Sequence, residues 1–174
     1  EFVEKCFPWI KIVRSPVNKG YSGGNNLGFI YSKGDFLVVL NPDTVVAYDW
    51  LSSLVKASLK EIRPCIITSK ILLHENPRRV NACGNMVHYT GLVFCRSLGE
   101  PEGIYDDVEE VAAPSGASFL IDRSTLEKAG FMDDEFFSNM GDTDLALRVR
   151  LMGGTCVVAS SSVVFHKFKL KMTP

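Results

Sequence analysis

The sequence predicts a single α/β domain, residues 1–174, with a mainly parallel sheet flanked by helices. Two observations carry this prediction. The run FLVVL at 36–40 is short, continuously apolar and bounded by turn residues, which is typical of a strand buried on both faces of a parallel sheet. The segment 25–32 before it has helical spacing, so that helix and strand alternate from the start. With 46% hydrophobic and 22% charged residues, the chain can bury an ordinary core.

The first quarter of the chain is predicted to form one strand, loop, helix and strand in succession. We expect a short strand at 9–14 (WIKIVR), followed by a connection rich in glycine and asparagine at 18–28. Apolar residues share one face of the helix at 25–32, and an asparagine at its start could cap it. The strand at 36–40 then completes a βαβ unit.

The remaining elements are predicted in the same way, helices from apolar residues on one face and strands from short apolar runs. A helix at 49–60 has one apolar face, and the pair Ser124 and Glu127 predicts a capping box for a helix at 124–129. We expect 74–110 to be a loop-rich insertion over a cleft, with short strand-like pieces such as 92–95, because glycine, asparagine and proline are frequent there. The other expected elements are a helix at 142–152 and strands at 65–68, 119–122, 155–158 and 162–165.

Composition argues against several functional classes. A formal net charge of −1 gives no general attraction to nucleic acid. No apolar run approaches the roughly 18 residues of a transmembrane helix, and the first residues lack the pattern of a signal peptide. The five cysteines are scattered and form no C-x-x-C pair. We therefore expect reduced thiols in a cytoplasmic protein rather than disulfides or a zinc site.

A candidate ligand site follows the strand at 36–40. Ligands of open α/β sheets bind at the carboxyl ends of the strands, where Asp43 stands. Pro42 ends strand pairing, so the Asp43 carboxylate is presented in a loop and could hold a divalent cation against phosphate oxygens. The glycine-rich segment 18–28 would leave backbone N–H groups free to approach a ligand. Taken singly, the two features could also be a helix cap and a simple turn.

A second group of acidic residues lies at 130–148 (GFMDDEFFSNMGDTDLALR). Asp142 is predicted at a helix start, where it could be an N-cap or a carboxylate held near the cleft to deprotonate a hydroxyl nucleophile. Asp144 and Arg148 are four residues apart and could simply pair along the helix. His166 ends a strand, where it could be structural or could ligate a metal.

Taken together, these segments resemble the family 2 inverting glycosyltransferases of GT-A fold, and in particular their rhamnosyltransferase-like members. The resemblance extends over nearly the whole chain and implies a Rossmann-like GT-A fold. It also implies transfer of a sugar from a nucleoside-diphosphate donor. The motifs that carry it are NKGYSGGNNLG at 18–28, KGDFLVVLNPDT at 33–44, GNMV at 84–87, GIYD at 103–106, SGASFLIDR at 115–123, GFMDDEFF at 130–137, DTDLALR at 142–148 and His166.

The resemblance implies a role for each motif. Asp142 would be the catalytic general base, and Asp43 with His166 would hold Mg²⁺ or Mn²⁺ at the donor diphosphate. The residues that would contact the acceptor or support the site are Phe137, Asp144 and Arg148. The residues that would bind the nucleotide-sugar donor are Asn18, Gly20, Gly23, Gly24, Asn25, Asn41, Asp43, Gly116 and Ala117.

The implied mechanism is a single displacement with inversion at the anomeric carbon, and the sequence departs from the family pattern in two places. Gly141 stands where the family carries a glutamate beside the base, and Asn139 stands where an aromatic residue is usual. The apolar strand and polar turn that begin the family fold are not found before Trp9. We therefore expect the sheet to lack its N-terminal strand and the chain to be an N-terminally truncated fragment.

Two functions stay open at this stage. The first is an inverting glycosyltransferase of cell-surface polysaccharide or glycolipid synthesis, with rhamnose as one candidate sugar and a saccharide or lipid-linked acceptor. The alternative is a truncated or degenerate, non-catalytic sugar-nucleotide-binding or scaffold domain, which Gly141 favours. The family implies work in the cytoplasm, with peripheral association at the inner face of a membrane. The basic tail (Lys167, Lys169 and Lys171) could approach such a surface, although a solvated strand end is the plainer alternative.

Overall fold

The computed structural model describes residues 1–104 and 109–168. Two residues of the motif at 103–106 (Tyr105 and Asp106) and two lysines of the basic tail (Lys169 and Lys171) lie outside this part of the chain. Its helices are α1 (Phe2–Cys6), α2 (Gly20–Tyr31), α3 (Trp50–Ser58), α4 (Arg123–Ala129) and α5 (Gly141–Leu151). Its strands are β1 (Phe36–Leu40), β2 (Thr44–Val46), β3 (Cys65–Leu73), β4 (Asn76–Ala82), β5 (Asn85–Val87), β6 (Val93–Cys95), β7 (Glu109–Glu110), β8 (Ser118–Asp122) and β9 (Thr155–His166).

A seven-stranded sheet forms the centre of the domain. Its main path runs β1-β8-β3-β9-β2, with β4 also paired to β3 and β7 to β9. Among these described strands β3 and β9 run parallel, and the other pairs are antiparallel. The α/β class is confirmed, but the prediction of a mainly parallel sheet is wrong. A continuous apolar run indicates burial on both faces, whereas strand direction depends on connections that the run does not encode.

Helices cover both faces of this sheet, and the side chains of the central strands alternate between two apolar layers. Phe119 packs in the layer that contains residues of α2, α4 and α5, together with Leu145. Its neighbour Leu120 packs in the other layer, against Leu54 of α3. The two layers explain why the predicted strands read as continuous apolar runs.

The glycine-rich segment is helical, not a loop. The helix predicted at 25–32 is confirmed, but α2 already begins at Gly20 and so includes most of the segment that glycine content assigned to a connection. Tertiary packing explains Gly20, because a Cβ atom on it would lie 2.2 Å from the Phe137 carbonyl oxygen. A Cβ atom on Gly23 would lie 3.0 Å from Lys19 Cβ and 3.4 Å from Asp134 Oδ1, whereas nothing lies within 4 Å of one on Gly24 or Gly28. Small residues therefore let α2 approach the segment 134–137 closely.

Three further predictions need correction. Residues 9–14 form no strand, because no described strand lies beside them and Trp9 is 77% exposed. The stretch 74–110 is less loop-like than predicted: it contains β4 and the antiparallel hairpin β5–β6, of which only β6 was indicated, as the strand-like piece at 92–95. The two late strands are one continuous strand, β9, in which buried Ser162 hydrogen-bonds to Ser69 of β3 across 2.9 Å. That pairing lets serines interrupt the apolar pattern without ending the strand.

The capping of α4 also differs from the prediction. The Asp122 side chain accepts a hydrogen bond from the Thr125 backbone N–H at 2.8 Å, so Asp122, not Ser124, is the N-cap residue. The cysteines are all free, as expected, and Cys65, Cys83 and Cys156 are buried. No helix of the described residues is both long enough and apolar enough to cross a bilayer.

Candidate active site

A cavity of about 400 Å³ opens where the first turn of α5, the start of β8, the hairpin β5–β6 and the end of β9 meet. Five of the predicted site residues line it: Asn41, Gly116, Ala117, Asp142 and His166. The other lining residues are Tyr21, Asn81, Ala82, Asn85, Val93, Cys95, Ser115, Ser138, Asn139, Met140, Thr143 and Phe168.

Asp142 lies in the first turn of α5, with its carboxylate in the cavity wall. The N-cap position belongs to Met140, so the capping alternative for Asp142 is wrong. Burial raises the pKa of Asp142, and hydrogen bonds from Thr143 and from the backbone N–H groups of Asp142 and Gly116 only partly offset that rise. The Thr143 N–H donates to Asp142 Oδ1 at 2.8 Å. The result is a fixed, largely buried carboxylate that binds a proton more readily than an exposed one.

Tyr21 and Gly116 enclose the other side of this carboxylate. The Tyr21 hydroxyl donates to the Gly116 carbonyl oxygen at 2.9 Å. A Cβ atom at Gly116 would come within 2.7 Å of Asp142 Oδ2 and 3.0 Å of the Tyr21 hydroxyl, so any side chain there would displace the carboxylate from its present position. Burial, and secondarily the negative charge of Asp142, raise the pKa of Tyr21 well above its usual range. Tyr21 therefore stays protonated as a donor.

A second polar pair lies beside the cavity, where β1 and β9 end. His166 Nε2 is 3.3 Å from Asp43 Oδ1, and the side chain of His166 is 12% exposed whereas that of Asp43 is 54% exposed. The Asp43 carbonyl oxygen accepts a hydrogen bond from the Lys167 N–H at 2.9 Å, which ties the turn after β1 to the end of β9. The pair thus presents one anchored nitrogen atom and one accessible carboxylate oxygen atom.

These two atoms fit a divalent cation that completes its coordination from outside the protein. Carboxylate oxygen suits Mg²⁺ and Mn²⁺, imidazole nitrogen is a frequent ligand of transition-metal cations, and a carboxylate combined with substrate phosphates is a common arrangement for Mg²⁺. Within residues 1–104 and 109–168, no group of three or more His, Cys, Asp or Glu side chains could hold a metal alone. The protein would therefore supply part of the coordination shell.

The donor residues predicted from the glycine-rich segment do not line the cavity. The Asn18 side chain accepts from the Gly20 N–H at 2.9 Å, and the Asn25 side chain donates to the Tyr21 carbonyl oxygen at 2.9 Å. Gly20 and Gly23 serve the packing of α2, and nothing lies within 4 Å of a Cβ atom built on Gly24. The segment shapes the site indirectly, by placing Tyr21 in the cavity wall.

Asp144, Arg148 and Phe137 also lie outside the cavity wall, in supporting positions. Arg148 pairs with Asp144 at 2.7 Å and donates to the carbonyl oxygens of Gly130 and Phe131, each at 3.0 Å. The Phe137 carbonyl oxygen accepts from backbone N–H groups at the start of α2. These contacts hold the segment between α4 and α5 against α5 at one end and against α2 at the other.

Sequence reasoning missed Tyr21, Asn81 and the cavity-facing residues of the hairpin, among them Cys95. Tyr21 lies within the motif at 18–28, where the glycine and asparagine residues around it were the predicted donor-binding residues. Asn81 and Cys95 carry no local pattern that distinguishes them from other polar residues. Their positions depend on β4, which the sequence did not predict, and on β6, which it indicated only as a strand-like piece at 92–95.

Comparison with known proteins identifies the family of this chain. Residues 1–90 match the family described as Glycosyl transferase family 2. A low-salt glycan biosynthesis hexosyltransferase, Agl10 of Haloferax volcanii, is 27% identical over 150 residues, which cover 81% of this chain and 46% of that protein. The uncharacterized protein y4gI of Sinorhizobium fredii is 24% identical over 165 residues, which cover 90% of this chain and 18% of that protein. The chain thus spans half or less of the length of these relatives.

The fold is shared with a solved glycosyltransferase structure. The crystal structure of GalNAc-T7 with UDP, GalNAc and Mn²⁺ aligns with a TM-score of 0.79 at 18% identity. The alignment covers 98% of this chain and 34% of that one. At this identity the likeness concerns the fold, and it confirms the GT-A-type architecture of a mixed sheet flanked by helices.

Proposed function

The chain belongs to glycosyl transferase family 2, and from that premise we propose that it is an inverting glycosyltransferase using a nucleoside-diphosphate sugar. The observation that supports this most directly is Asp142. Its carboxylate is largely buried, has a raised pKa and faces the same cavity as His166 and Ala117. A perturbed carboxylate in a cavity wall is suited to take a proton from a bound hydroxyl group.

In the proposed reaction, Asp142 takes the proton of the acceptor hydroxyl group. The hydroxyl oxygen forms a bond to the anomeric carbon of the donor sugar while the bond from that carbon to the diphosphate oxygen breaks on the opposite face. The nucleoside diphosphate leaves with the bonding electrons, and the configuration at the anomeric carbon inverts. The Tyr21 hydroxyl and the Thr143 N–H keep the loop at Gly116 and the Asp142 carboxylate in position.

Asp43 and His166 are the proposed ligands of Mg²⁺ or Mn²⁺ in this site. When bound, the cation would offset the negative charge that develops on the departing diphosphate. Asn41, Gly116 and Ala117 are the proposed donor-binding residues of the cavity wall. Asn41 is held in register by its own N–H, which donates to the Ala117 carbonyl oxygen at 3.0 Å.

The finer details of substrate and location belong to the same proposal. The resemblance to rhamnosyltransferase-like proteins suggests rhamnose as a candidate sugar, and a relative bears the name of a hexosyltransferase. A saccharide or a lipid-linked acceptor, in cell-surface polysaccharide or glycolipid synthesis, is consistent with both names. Peripheral association with the inner face of a membrane would bring a lipid-linked acceptor to the cavity.

The alternative is a non-catalytic domain that only binds the sugar nucleotide, and Gly141 is the observation that favoured it. Packing provides another reason for this glycine, because a Cβ atom at Gly141 would lie 2.2 Å from Ser22 Oγ. The absence of a glutamate beside Asp142 therefore follows from the close approach of α2 to α5. That explanation requires no loss of activity.

The donor site can be tested first by thermal unfolding. We expect one of UDP, GDP and dTDP to raise the melting temperature of the chain, and to do so more strongly with Mn²⁺, because a ligand bound only by the folded state stabilises it. Asp43→Ala should remove the Mn²⁺-dependent part of the rise. A panel without any shift in the wild-type chain would contradict the proposed donor site.

The base is tested by Asp142→Asn, with Glu135→Gln as a matched control on an exposed carboxylate. The readout is release of nucleoside diphosphate from the sugar nucleotide whose base the melting experiment selects. Asp142→Asn should lower turnover by about 100-fold or more, because it removes general-base catalysis, while the nucleotide-dependent melting shift stays. The control should behave like the wild type. Unchanged turnover in Asp142→Asn would contradict the assignment of Asp142 as the base, whereas a wild-type chain that binds the sugar nucleotide without turnover would favour the non-catalytic alternative.

A further inference from the structure

Asn81 is the residue at which β4 departs from regular pairing with β3. Ile71 pairs with Ala82 and Leu72 pairs with Val80, so Asn81 is the extra residue of a β-bulge. A bulge bends its strand and re-aims the side chain of the extra residue. Asn81 is only 5% exposed, and it belongs to the cavity wall. An interruption of this kind places a buried amide in the cavity wall.

The Asn81 amide contacts His166, although β3 separates their two strands. Asn81 Oδ1 lies 2.8 Å from His166 Nδ1. An amide oxygen only accepts hydrogen bonds, so the hydrogen in this contact is on His166 Nδ1. In a neutral imidazole the lone pair is then on Nε2, the atom that lies 3.3 Å from Asp43 Oδ1.

Strand pairing holds the backbone of His166 in place but leaves the orientation of its imidazole ring undetermined. His166 pairs with Leu73 of β3 on one side and with Thr44 of β2 on the other. Its carbonyl oxygen also accepts from the His74 N–H at 2.9 Å. Strand pairing cannot determine which ring nitrogen faces Asp43, because rotation about the side-chain bonds leaves every backbone contact intact.

We propose that Asn81 is a positioning residue that holds His166 in the Nδ1–H form, with Nε2 turned toward Asp43 as a cation ligand. This inference rests on the metal site of the proposed function. A hydrogen bond to the far nitrogen of a histidine ligand fixes both its tautomer and its orientation, and loss of such a partner typically weakens metal binding by about 10- to 100-fold. Asn81 thus prepares the cation site before the cation or the nucleotide arrives.

The tautomer of His166 is the direct test, because it is measured without metal. Nitrogen-15 NMR of the imidazole, at a pH at which the ring is neutral and with the resonance assigned by His166→Asn, should show the hydrogen on Nδ1. Asn81→Ala should shift the ring toward the other tautomer. Asn81→Asp, which keeps an oxygen acceptor at the same place, should retain the wild-type form. A purely structural Asn81 would leave the tautomer unchanged in Asn81→Ala.

The consequence for metal binding is measured with Mn²⁺ itself, by electron paramagnetic resonance of free Mn²⁺, with and without UDP. Asn81→Ala should bind Mn²⁺ about tenfold or more weakly than the wild type. Asn76→Ala is the matched control, because it makes the same substitution at an exposed position of the same strand. Melting curves show whether each variant is folded. If Asn81→Ala is unfolded, Asn81→Asp is compared with the wild type instead.

The outcomes separate this inference from the proposed function. Weaker Mn²⁺ binding together with a changed tautomer in Asn81→Ala supports it. Wild-type tautomer and Mn²⁺ affinity in a folded Asn81→Ala, with binding lost in Asp43→Ala, would overturn the role of Asn81 and leave the metal site standing. A wild-type chain that binds no Mn²⁺ under either condition would overturn the metal site and this inference together.

Discussion

At two glycines near the proposed base, side chains that are remote in sequence occupy the space that a Cβ atom would need. Gly116 leaves room for the Asp142 carboxylate and the Tyr21 hydroxyl, and Gly141 leaves room for Ser22 Oγ. Both exclusions are steric, because each added Cβ atom would lie under 3.0 Å from a neighbouring oxygen. The departure of Gly141 from the family pattern therefore has a local physical cause.

Gly141→Ala should lower the free energy of unfolding by about 1–3 kcal/mol, because the added methyl group overpacks the contact with Ser22. Gly24→Ala is the control in α2. Nothing lies near its Cβ position, so it should stabilise the helix by about 0.5–1 kcal/mol. Urea unfolding measures both. Adding Ser22→Ala to Gly141→Ala should recover part of the loss, and equal effects of the two glycine substitutions would contradict the steric explanation.

Among the helices, α4 shows how one side chain can determine where an element begins. Besides the Thr125 N–H, the Asp122 carboxylate accepts from the Ser124 hydroxyl at 2.7 Å. Burial works to raise the pKa of Asp122, but hydrogen bonds from Thr125 and Ser124 outweigh it and lower that pKa below its ordinary 3.8. The capping interaction therefore stabilises the fold above pH 3.8 and is lost as the pH falls through the lower, folded-state value.

Asp122→Ala should cost about 1 kcal/mol at neutral pH, because the N-terminal N–H groups of α4 lose their acceptor. Asp122→Asn keeps an acceptor oxygen and should stay close to the wild type. Denaturant unfolding at pH 7 and again below pH 3.8 checks both variants. The difference between wild type and Asp122→Ala should shrink at the lower pH, since protonation weakens the cap. A difference independent of pH would argue against the charged cap.

For the whole molecule, stability depends on the two apolar layers that share the central strands. Phe119 of β8 is fully buried in the layer with α5, and Leu120 is fully buried in the layer with α3. The strand β8 also leads directly from the cavity wall at Gly116 and Ala117 into this core. Rigidity of the site and packing of the core are therefore coupled through one strand.

Phe119→Ala should lower the free energy of unfolding by about 3–5 kcal/mol, because it leaves a cavity between β8 and the helices. Leu151→Ala, at a position 87% exposed near the end of α5, should change it by no more than about 0.5 kcal/mol. Thermal and urea unfolding measure the two. A small effect at Phe119 would mean that the core can collapse around the missing ring.

The elements with strong local patterns were predictable. The strands β1, β3 and β8 and the helices α3 and α5 lie where apolar periodicity placed them, within a few residues. The helix predicted at 25–32 and the strand-like piece at 92–95 correspond to the second half of α2 and to β6. The strands β4 and β5 and the glycine-rich start of α2 were not predictable, because their residues carry weak or opposing propensities. Contacts such as that of Asn26, which accepts from the Met132 N–H at 3.0 Å, hold α2 in place.

Local sequence thus identified the polar residues that follow strands or begin a helix: Asp43, Asp142 and His166. Their positions result from hydrophobic patterning, which acts between near neighbours in the chain. Strand direction, the steric need for Gly116 and Gly141, and the approach of Tyr21 to Asp142 and of Asn81 to His166 were settled by folding. Those features depend on contacts between residues far apart in sequence, whose geometry is set by the packing of the whole sheet and its helices.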